Sequence, residues 1–389
     1  MSFIGLLIVC LVAVVAPLIT SAIPRVRVPA IVLEILGGIL IGPAGLGWVR
    51  PDDDAVRVLS IVGLGFLLFL AGLELDVKLL RGARLRTTSV AFLLSAAMAY
   101  AIAFALHVAG IVESTLLVAI CLSATALGVV APVLKDAGEL TTDFGQTVIA
   151  AASIADFSTV LLLSIVFSRE SGSTVDKLVL LGGFGVLTAV VVAAMMAAEH
   201  WTGLSLMLEK LQDSTAQIRV RGAFLLLIGF AALATRQGLE VILGAFVAGA
   251  LLSVLDHDYA RTHPRFHDKL EAIGFGVFIP VFFVASGVQF DAGALFSGAG
   301  TLLRVPLFLA ALLLVRGVPA LLYRPLVGLR RSIVAGLMQA TSLPFIVAAT
   351  TIGIEMHALA RPNASALVAA GLLSVVIFPV TATILLRDA

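Results

Sequence analysis

The chain has 389 residues and a formal net charge of +1, and it is 60% hydrophobic but only 13% charged. Soluble domains carry about 25% charged residues, so this composition excludes an ordinary soluble protein and indicates a polytopic membrane protein in contact with the lipid bilayer. The small net charge provides no basic field for a nucleic-acid partner.

Apolar segments bounded by charged or Pro/Gly turns predict an all-α fold with thirteen membrane-spanning helices, since about 20 apolar residues cross the hydrocarbon core. Along the chain they lie near residues 2–22, 29–46, 57–75, 88–110, 114–134, 144–168, 177–199, 220–235, 239–255, 271–290, 301–323, 332–353 and 364–386. The connections are too short to fold alone, so we expect a single transmembrane domain over 1–389 and no soluble regulatory domain.

Basic loops indicate how the chain is oriented. The third loop carries Lys78, Arg81, Arg84 and Arg86, and cytoplasmic loops are enriched in such residues. If this loop faces the cytoplasm, the alternation of thirteen spans places most other Lys and Arg residues on the same side. We therefore expect a multi-pass protein of the cell membrane with its N-terminus outside and its C-terminus in the cytoplasm.

Small, hydroxylated and Pro residues interrupt the fifth and twelfth segments. Pro removes a backbone donor and Gly loosens a helix, so both segments are predicted to be broken helices with free backbone groups. Paired broken helices at corresponding positions indicate a transport site built from two inverted repeats, here with the seventh segment as the linker. The residues are Ser123, Thr125, Gly128 and Pro132 in the fifth segment and Gln339, Thr341, Ser342 and Pro344 in the twelfth.

Asp156 lies inside the sixth segment, and no other ionisable side chain occurs between Gln146 and Arg169. A carboxylate at mid-bilayer depth costs roughly 2.5–3.5 kcal/mol on insertion scales, and such residues usually mark an ion pathway or a proton relay. Because burial disfavours the charged form, a proton and a metal cation can compete for Asp156 near neutral pH. A structural Asp that fixes helix packing is the alternative.

Two hydroxyl groups are candidate ligands beside Asp156. Ser153 lies one helical turn earlier and shares its face, and Thr125 belongs to the broken fifth segment. Alkali cations are hard ions that prefer oxygen ligands. Hydrogen bonding to the backbone of their own helices is the alternative for both hydroxyls.

Arg316 is a basic residue inside the eleventh segment. Its guanidinium group keeps its charge when buried and therefore needs a partner. Asp156, the carbonyl groups of the broken twelfth helix, and an aqueous interface reached by snorkelling are the three alternatives.

Other classes of function find less support. The phosphate-binding pattern G-x-x-x-x-G-K-[ST] is absent, which disfavours an ATP-driven pump. An aspartyl intramembrane protease needs two intramembrane aspartates, and only Asp156 qualifies, so we do not expect an enzyme. We also expect no resident cofactor. A channel-like cation efflux protein and an organic-solute transporter on the same fold remain the alternatives to an ion exchanger.

Five stretches, taken together and in this order, resemble the cation:proton antiporter 2 family of Kef-type and sodium/proton exchangers. They are VPAIVLEILGGILIGPAGLG (28–47), LFLAGLELD (68–76), LSATALGVVAPVLKDAG (122–138), FGQTVIAAASIADFSTVLLL (144–163) and QATSLPFIVA (339–348). The resemblance implies exchange of Na⁺ or K⁺ for H⁺ by elevator-like alternating access, with two helices crossing unwound at mid-membrane. It also implies a homodimer, and it allows a separate regulatory subunit.

The resemblance further implies two structural halves. A dimerisation half covers approximately 1–87 and 220–290, a core half covers approximately 88–168 and 301–389, and the helix at 177–199 links the repeats.

Two positions depart from the pattern of the relatives. Ala155 precedes Asp156 where many relatives carry Asp or Asn, and Ala126 follows Thr125 where others carry an acidic residue. Arg316 matches a position where relatives carry Lys or Arg. With one carboxylate and one permanently charged Arg, we expect one-for-one, electroneutral exchange.

Overall fold

The computed structural model describes residues 3–22, 29–74, 82–166, 182–186, 188–189, 217–255 and 265–387. Within these ranges the regular structure is helical throughout, with no strand. The helices are α1 (Ile4–Ala22), α2 (Ala30–Ile41), α3 (Asp54–Leu73), α4 (Gly82–Val108), α5 (Thr115–Ser123), α6 (Leu127–Asp136), α7 (Asp143–Val166), α8 (Ile218–Arg236), α9 (Val241–Leu255), α10 (Arg265–Ile273), α11 (Ile279–Gln289), α12 (Ala292–Leu295), α13 (Ala299–Ala320), α14 (Arg324–Val327), α15 (Leu329–Gln339), α16 (Pro344–Glu355) and α17 (Arg361–Arg387). A π-helical turn (Gly274–Phe278) joins α10 to α11, and a 3₁₀ turn (Leu321–Tyr323) follows α13.

Ten helices among the described residues are long and apolar enough to cross a membrane, and two shorter apolar helices lie at Ala30–Ile41 and Val241–Val254. Each predicted span except the seventh contains one of these helices. The seventh, at 177–199, falls largely outside the described residues, so the count of thirteen stays a prediction. The all-α, multi-span architecture is confirmed.

The chain forms two compact units. The first comprises Met1–Ile61, Asp76–Thr159 and Pro280–Ala389, and the second comprises Val62–Leu75 and Val160–Ile279. The first unit contains both predicted broken helices together with Asp156 and Arg316. The predicted division into a dimerisation half and a core half stays a prediction.

A buried apolar cluster within the first unit packs α4, α6, α7, α13, α15 and α17 together. Its alanines are small enough to let these helices approach closely, as expected inside a membrane protein. Its members include Ala91, Val130, Leu134, Phe144, Val148, Ala151, Ala320, Tyr323, Val334, Ala335, Met338 and Ala382. This cluster supports the helices that carry the polar residues described below.

Two side-chain pairs reveal the internal repeat. Near the start of α4, Arg84 donates to Asp143 at the start of α7 with a distance of 2.9 Å, and the two residues are 59 positions apart. Arg304, near the start of α13, donates to Asn363 near the start of α17 at 2.6 Å, again across 59 positions. The fourth and sixth spans are therefore tied in the same way as the eleventh and thirteenth.

Close helix crossings repeat in the same manner. In the first unit a Cβ on Gly38 of α2 would collide with the Val284 carbonyl of α11, and in the second unit a Cβ on Gly249 of α9 would collide with the Phe69 carbonyl of α3. Each crossing joins the second span of one repeat to the third span of the other. This reciprocal pairing of spans supports the two predicted repeats.

Candidate ion-binding site at the crossing of two broken helices

The first broken helix consists of α5 and α6. Helix α5 ends at Ser123, Ala124 is extended with φ −71° and ψ 158°, and α6 begins at Leu127. The Ser123 hydroxyl bonds the Ala119 carbonyl of its own helix. Gly128 and Pro132 lie inside α6. The interruption is thus at residues 124–126, just before the Gly and Pro that were predicted to break the helix.

The second broken helix consists of α15 and α16. Helix α15 ends at Gln339, and Pro344 is the first residue of α16, where its missing N–H costs nothing. Thr341 and Ser342 lie in the non-helical segment between them. The Ser342 N–H donates to Ser374 Oγ of α17 at 3.1 Å, which anchors this segment to the neighbouring helix.

The two non-helical segments meet directly. The Ala126 N–H donates to the Thr341 carbonyl at 2.8 Å, and Thr125 Oγ1 donates to the Gln339 carbonyl at 2.9 Å. The predicted crossing of two broken helices is confirmed. Two helix N-termini and two helix C-termini therefore converge inside the bundle, and such ends carry partial positive and negative charges.

Arg316 of α13 lies at this crossing and is 1% exposed. Its Nε and Nη2 donate to Thr125 Oγ1 at 3.0 and 2.7 Å, and its Nη1 lies 3.4 Å from Ser95 Oγ. The Arg316 guanidinium also packs against the Phe92 ring, 5.9 Å from its centroid. Buried hydroxyl oxygens and a ring face therefore surround the charge.

Asp156 occupies the middle of α7, a helix whose other charged residue is Asp143 at its first position. Asp156 and Arg316 interact electrostatically, while the hydrogen bonds of Arg316 given above go to hydroxyl groups. Direct pairing of Asp156 with Arg316 stays a prediction. Ser153, one turn before Asp156 in the same helix, is buried.

Three polar residues at the crossing escaped the sequence analysis. Ser95 receives a bond from Arg316, Ser374 anchors Ser342, and the Tyr323 hydroxyl donates to Gln339 Oε1 at 3.3 Å. Tyr323 stands at the end of a span next to a basic loop, where an aromatic residue is typical of the membrane interface. Its burial, at 1% exposed, has no local signal in the sequence.

Two polar atoms at the crossing have no hydrogen-bond partner among the described residues. They are Gln339 Nε2 and Ser342 Oγ, and both are buried. Buried polar atoms in proteins are nearly always satisfied by protein, water or an ion. The crossing therefore retains hydrogen-bonding capacity beyond the bonds made between its own residues.

The sequence of this chain is similar to those of known Na⁺/H⁺ antiporters. The chain is 29% identical over 390 residues to the putative Na⁺/H⁺ antiporter YjbQ of Bacillus subtilis. The matched region covers 97% of this chain but only 62% of that protein. It is 30% identical over 298 residues to a Na⁺/H⁺ antiporter of Enterococcus hirae, covering 75% of this chain and 74% of that protein. The chain thus spans less than two thirds of the length of the Bacillus subtilis relative.

The fold also matches a solved structure. The sodium proton antiporter MjNhaP1 from Methanocaldococcus jannaschii superposes with a TM-score of 0.68 at 18% identity, covering 98% of this chain and 97% of that one. The family described as sodium/hydrogen exchanger, transmembrane, matches residues 10–388. This chain is therefore a multi-pass membrane protein, and it belongs to the sodium/hydrogen exchanger transmembrane family of transporters.

Proposed function

We propose that this protein exchanges a monovalent cation, Na⁺ or K⁺, for protons across the cell membrane by alternating access. The observation that carries the proposal is Asp156, a carboxylate at the midpoint of a membrane-spanning helix, in the same compact unit as two crossing broken helices. Intramembrane carboxylates mark ion pathways and proton relays. Membership of an exchanger family supports the same activity.

Asp156 is the proposed shared site for the proton and the cation. A charged carboxylate within the bilayer is costly, so it gains from binding either a proton or a metal cation. Ser153 supplies a hydroxyl oxygen on the same helix face, the kind of ligand that hard cations prefer. Backbone carbonyls of the non-helical segments provide further oxygens.

Electroneutral exchange follows from counting charges. Ala155 and Ala126 stand where relatives can carry a second carboxylate, so Asp156 is the one carboxylate that we assign to the site among the described residues. The Arg316 guanidinium keeps its proton throughout. One proton or one monovalent cation therefore neutralises Asp156 in each half of the cycle. The two half-cycles carry the same charge in opposite directions, so no net charge moves.

The proposal includes an orientation and an assembly. The N-terminus lies outside and the C-terminus in the cytoplasm, as the distribution of Lys and Arg among the loops favours. The protein works as a homodimer in the bilayer, transports its ions without a resident cofactor, and carries out no covalent chemistry. A separate regulatory subunit is compatible with this arrangement.

Proton efflux from acid-loaded proteoliposomes tests the activity. Na⁺, Li⁺, K⁺ and choline are added in turn to wild type, to Asp156→Asn and to Asp54→Asn. Asp54 is a matched control because its side chain is 62% exposed at a helix start. We expect alkali cations, but not choline, to release protons from wild type and Asp54→Asn, whereas Asp156→Asn is inactive.

Two results would overturn the proposal. Exchange that survives in Asp156→Asn would show that this carboxylate is not the shared site. A folded wild type through which no alkali cation moves protons would favour a channel or an organic-solute transporter instead.

A further inference from the structure

The hydroxyl group of Thr125 has no bonding capacity left. A Thr hydroxyl has one hydrogen to donate and two lone pairs that accept. Thr125 Oγ1 donates to the Gln339 carbonyl at 2.9 Å and accepts from Arg316 Nε and Nη2 at 3.0 and 2.7 Å. All three residues are buried, so water does not compete for these bonds.

A metal cation cannot share this oxygen with Arg316. A guanidinium does not lose its proton inside proteins, so both lone pairs of Thr125 Oγ1 face hydrogens that carry positive charge. A second cation at that oxygen would meet direct repulsion from Arg316 in a medium of low dielectric constant. Ligation by Thr125 would require Arg316 to leave first.

We propose that Thr125 is a positioning residue and that its hydroxyl does not ligate the transported cation. Arg316 donates two hydrogen bonds to Thr125, and Thr125 in turn donates to the Gln339 carbonyl at the end of α15. These bonds fix the crossing of the two broken helices. Arg316 therefore acts on the ion site through Thr125. This inference rests on the proposed cation/proton exchange and assigns a role within it.

Further contacts extend the same network. Arg316 Nη1 reaches Ser95 Oγ of α4 at 3.4 Å, and the Tyr323 hydroxyl donates to Gln339 Oε1. Gln339 is thus bonded through its main chain to Thr125 and through its side chain to Tyr323. Contacts to α4, to the 3₁₀ turn after α13 and to both broken helices hold the crossing in one geometry.

The test compares Thr125→Val, which keeps the shape but loses the hydroxyl, with Thr125→Ser, which keeps the hydroxyl. Because Thr125→Val leaves two Arg316 donors unpaired, we expect its maximum exchange rate to fall by about tenfold. The apparent KM for Na⁺ and the ranking of Na⁺, Li⁺ and K⁺ stay within about twofold of wild type, since no ligand is lost. Thr125→Ser should keep the wild-type maximum exchange rate, because it retains the hydroxyl.

Thr350→Val is the matched control. Thr350 is also buried, but among the described residues its hydroxyl bonds only the Ile346 and Val347 carbonyls of its own helix. We expect this variant to exchange ions at the wild-type rate. A double-mutant cycle with Arg316→Lys completes the test: Thr125→Val should lower the melting temperature and the rate much less in that background, because the two residues act as one unit.

The outcomes separate this inference from the proposed exchange. A rise of more than about tenfold in the KM for Na⁺ in Thr125→Val, with the maximum rate unchanged, would identify a ligand and overturn the inference. Strictly additive effects of Thr125→Val and Arg316→Lys would also overturn it. If wild type exchanged no cation, the proposed function would fail, and the coupling measured in thermal unfolding would still decide whether Arg316 acts through Thr125.

Discussion

The Ala126 N–H and the Thr341 carbonyl form a 2.8 Å hydrogen bond between two helices that are each interrupted in the middle. Each non-helical segment would otherwise leave backbone groups unpaired in a medium without water, which costs several kcal/mol per group. Pairing one segment with the other satisfies part of this need. The crossing therefore lowers the free-energy cost of keeping non-helical backbone inside the bilayer.

Gly38→Ala is predicted to destabilise the protein. The new Cβ would collide with the Val284 backbone carbonyl, so α2 and α11 would have to move apart. We expect a loss of about 1–3 kcal/mol in unfolding free energy, measured by thermal or chemical unfolding in detergent micelles. Gly229→Ala is the control because nothing lies within 4 Å of its added Cβ. An equal loss in both variants would contradict the crossing.

Asn363→Ala should be costly although it changes an uncharged residue. Asn363 is fully buried. It accepts from Arg304 at 2.6 Å and donates to Glu113 at 2.9 Å. Removing these bonds to charged groups should cost about 2–3 kcal/mol in unfolding free energy.

The repeat supplies the matched control for this change. Asp143 occupies the equivalent position in the first repeat, but its side chain is 87% exposed. Asp143→Ala should therefore cost below about 1 kcal/mol, as exposed ion pairs do. Equal losses for Asn363→Ala and Asp143→Ala would show that the buried network does not stabilise the fold.

Tyr323→Phe removes one hydroxyl and leaves Gln339 Oε1 without the donor that it has in the structure. A buried acceptor left unpaired costs about 1–3 kcal/mol, so we expect a lower melting temperature and slower exchange. Tyr100→Phe is the control, because Tyr100 is 49% exposed. If both variants behaved as wild type, the hydroxyl of Tyr323 would have no role at the crossing.

How far the sequence predicts this structure depends on the range of the contacts involved. The described spans, and the position of Asp156 inside one of them, were predictable because hydropathy and a single isolated charge are local features of the chain. Pro344 begins α16 as expected of Pro at a helix start, whereas Pro132 lies inside α6. A Pro therefore signals an interruption nearby without fixing its position.

The partners at the crossing could not be predicted in the same way. Arg316 and Thr125 are 191 positions apart, and Thr125 and Gln339 are 214 apart. No periodicity or short motif encodes contacts at such separations. From the local sequence, Ser95 resembles an ordinary helix hydroxyl and Tyr323 an interfacial aromatic residue. Only the packing of α4 and of the 3₁₀ turn after α13 brings them to the site.

Exchange is predicted to be insensitive to membrane potential. In the proposed mechanism Asp156 binds either one proton or one monovalent cation while Arg316 keeps its charge, so the transported charge cancels. A net charge moved across the membrane would be worth about 2.3 kcal/mol per 100 mV. The rate in proteoliposomes under matched ion gradients should therefore not change when a potential is imposed. A rate that follows the potential would show that the stoichiometry is not one-for-one.

The count of protons released when purified protein binds Na⁺ or K⁺ tests the central claim most directly. If a proton and a cation compete for Asp156, wild type should release about one proton per cation bound at a pH where the site is protonated, as linkage requires. Asp156→Asn should neither bind the cation nor release a proton. Cation binding that is independent of pH, or that persists in Asp156→Asn, would contradict the shared site.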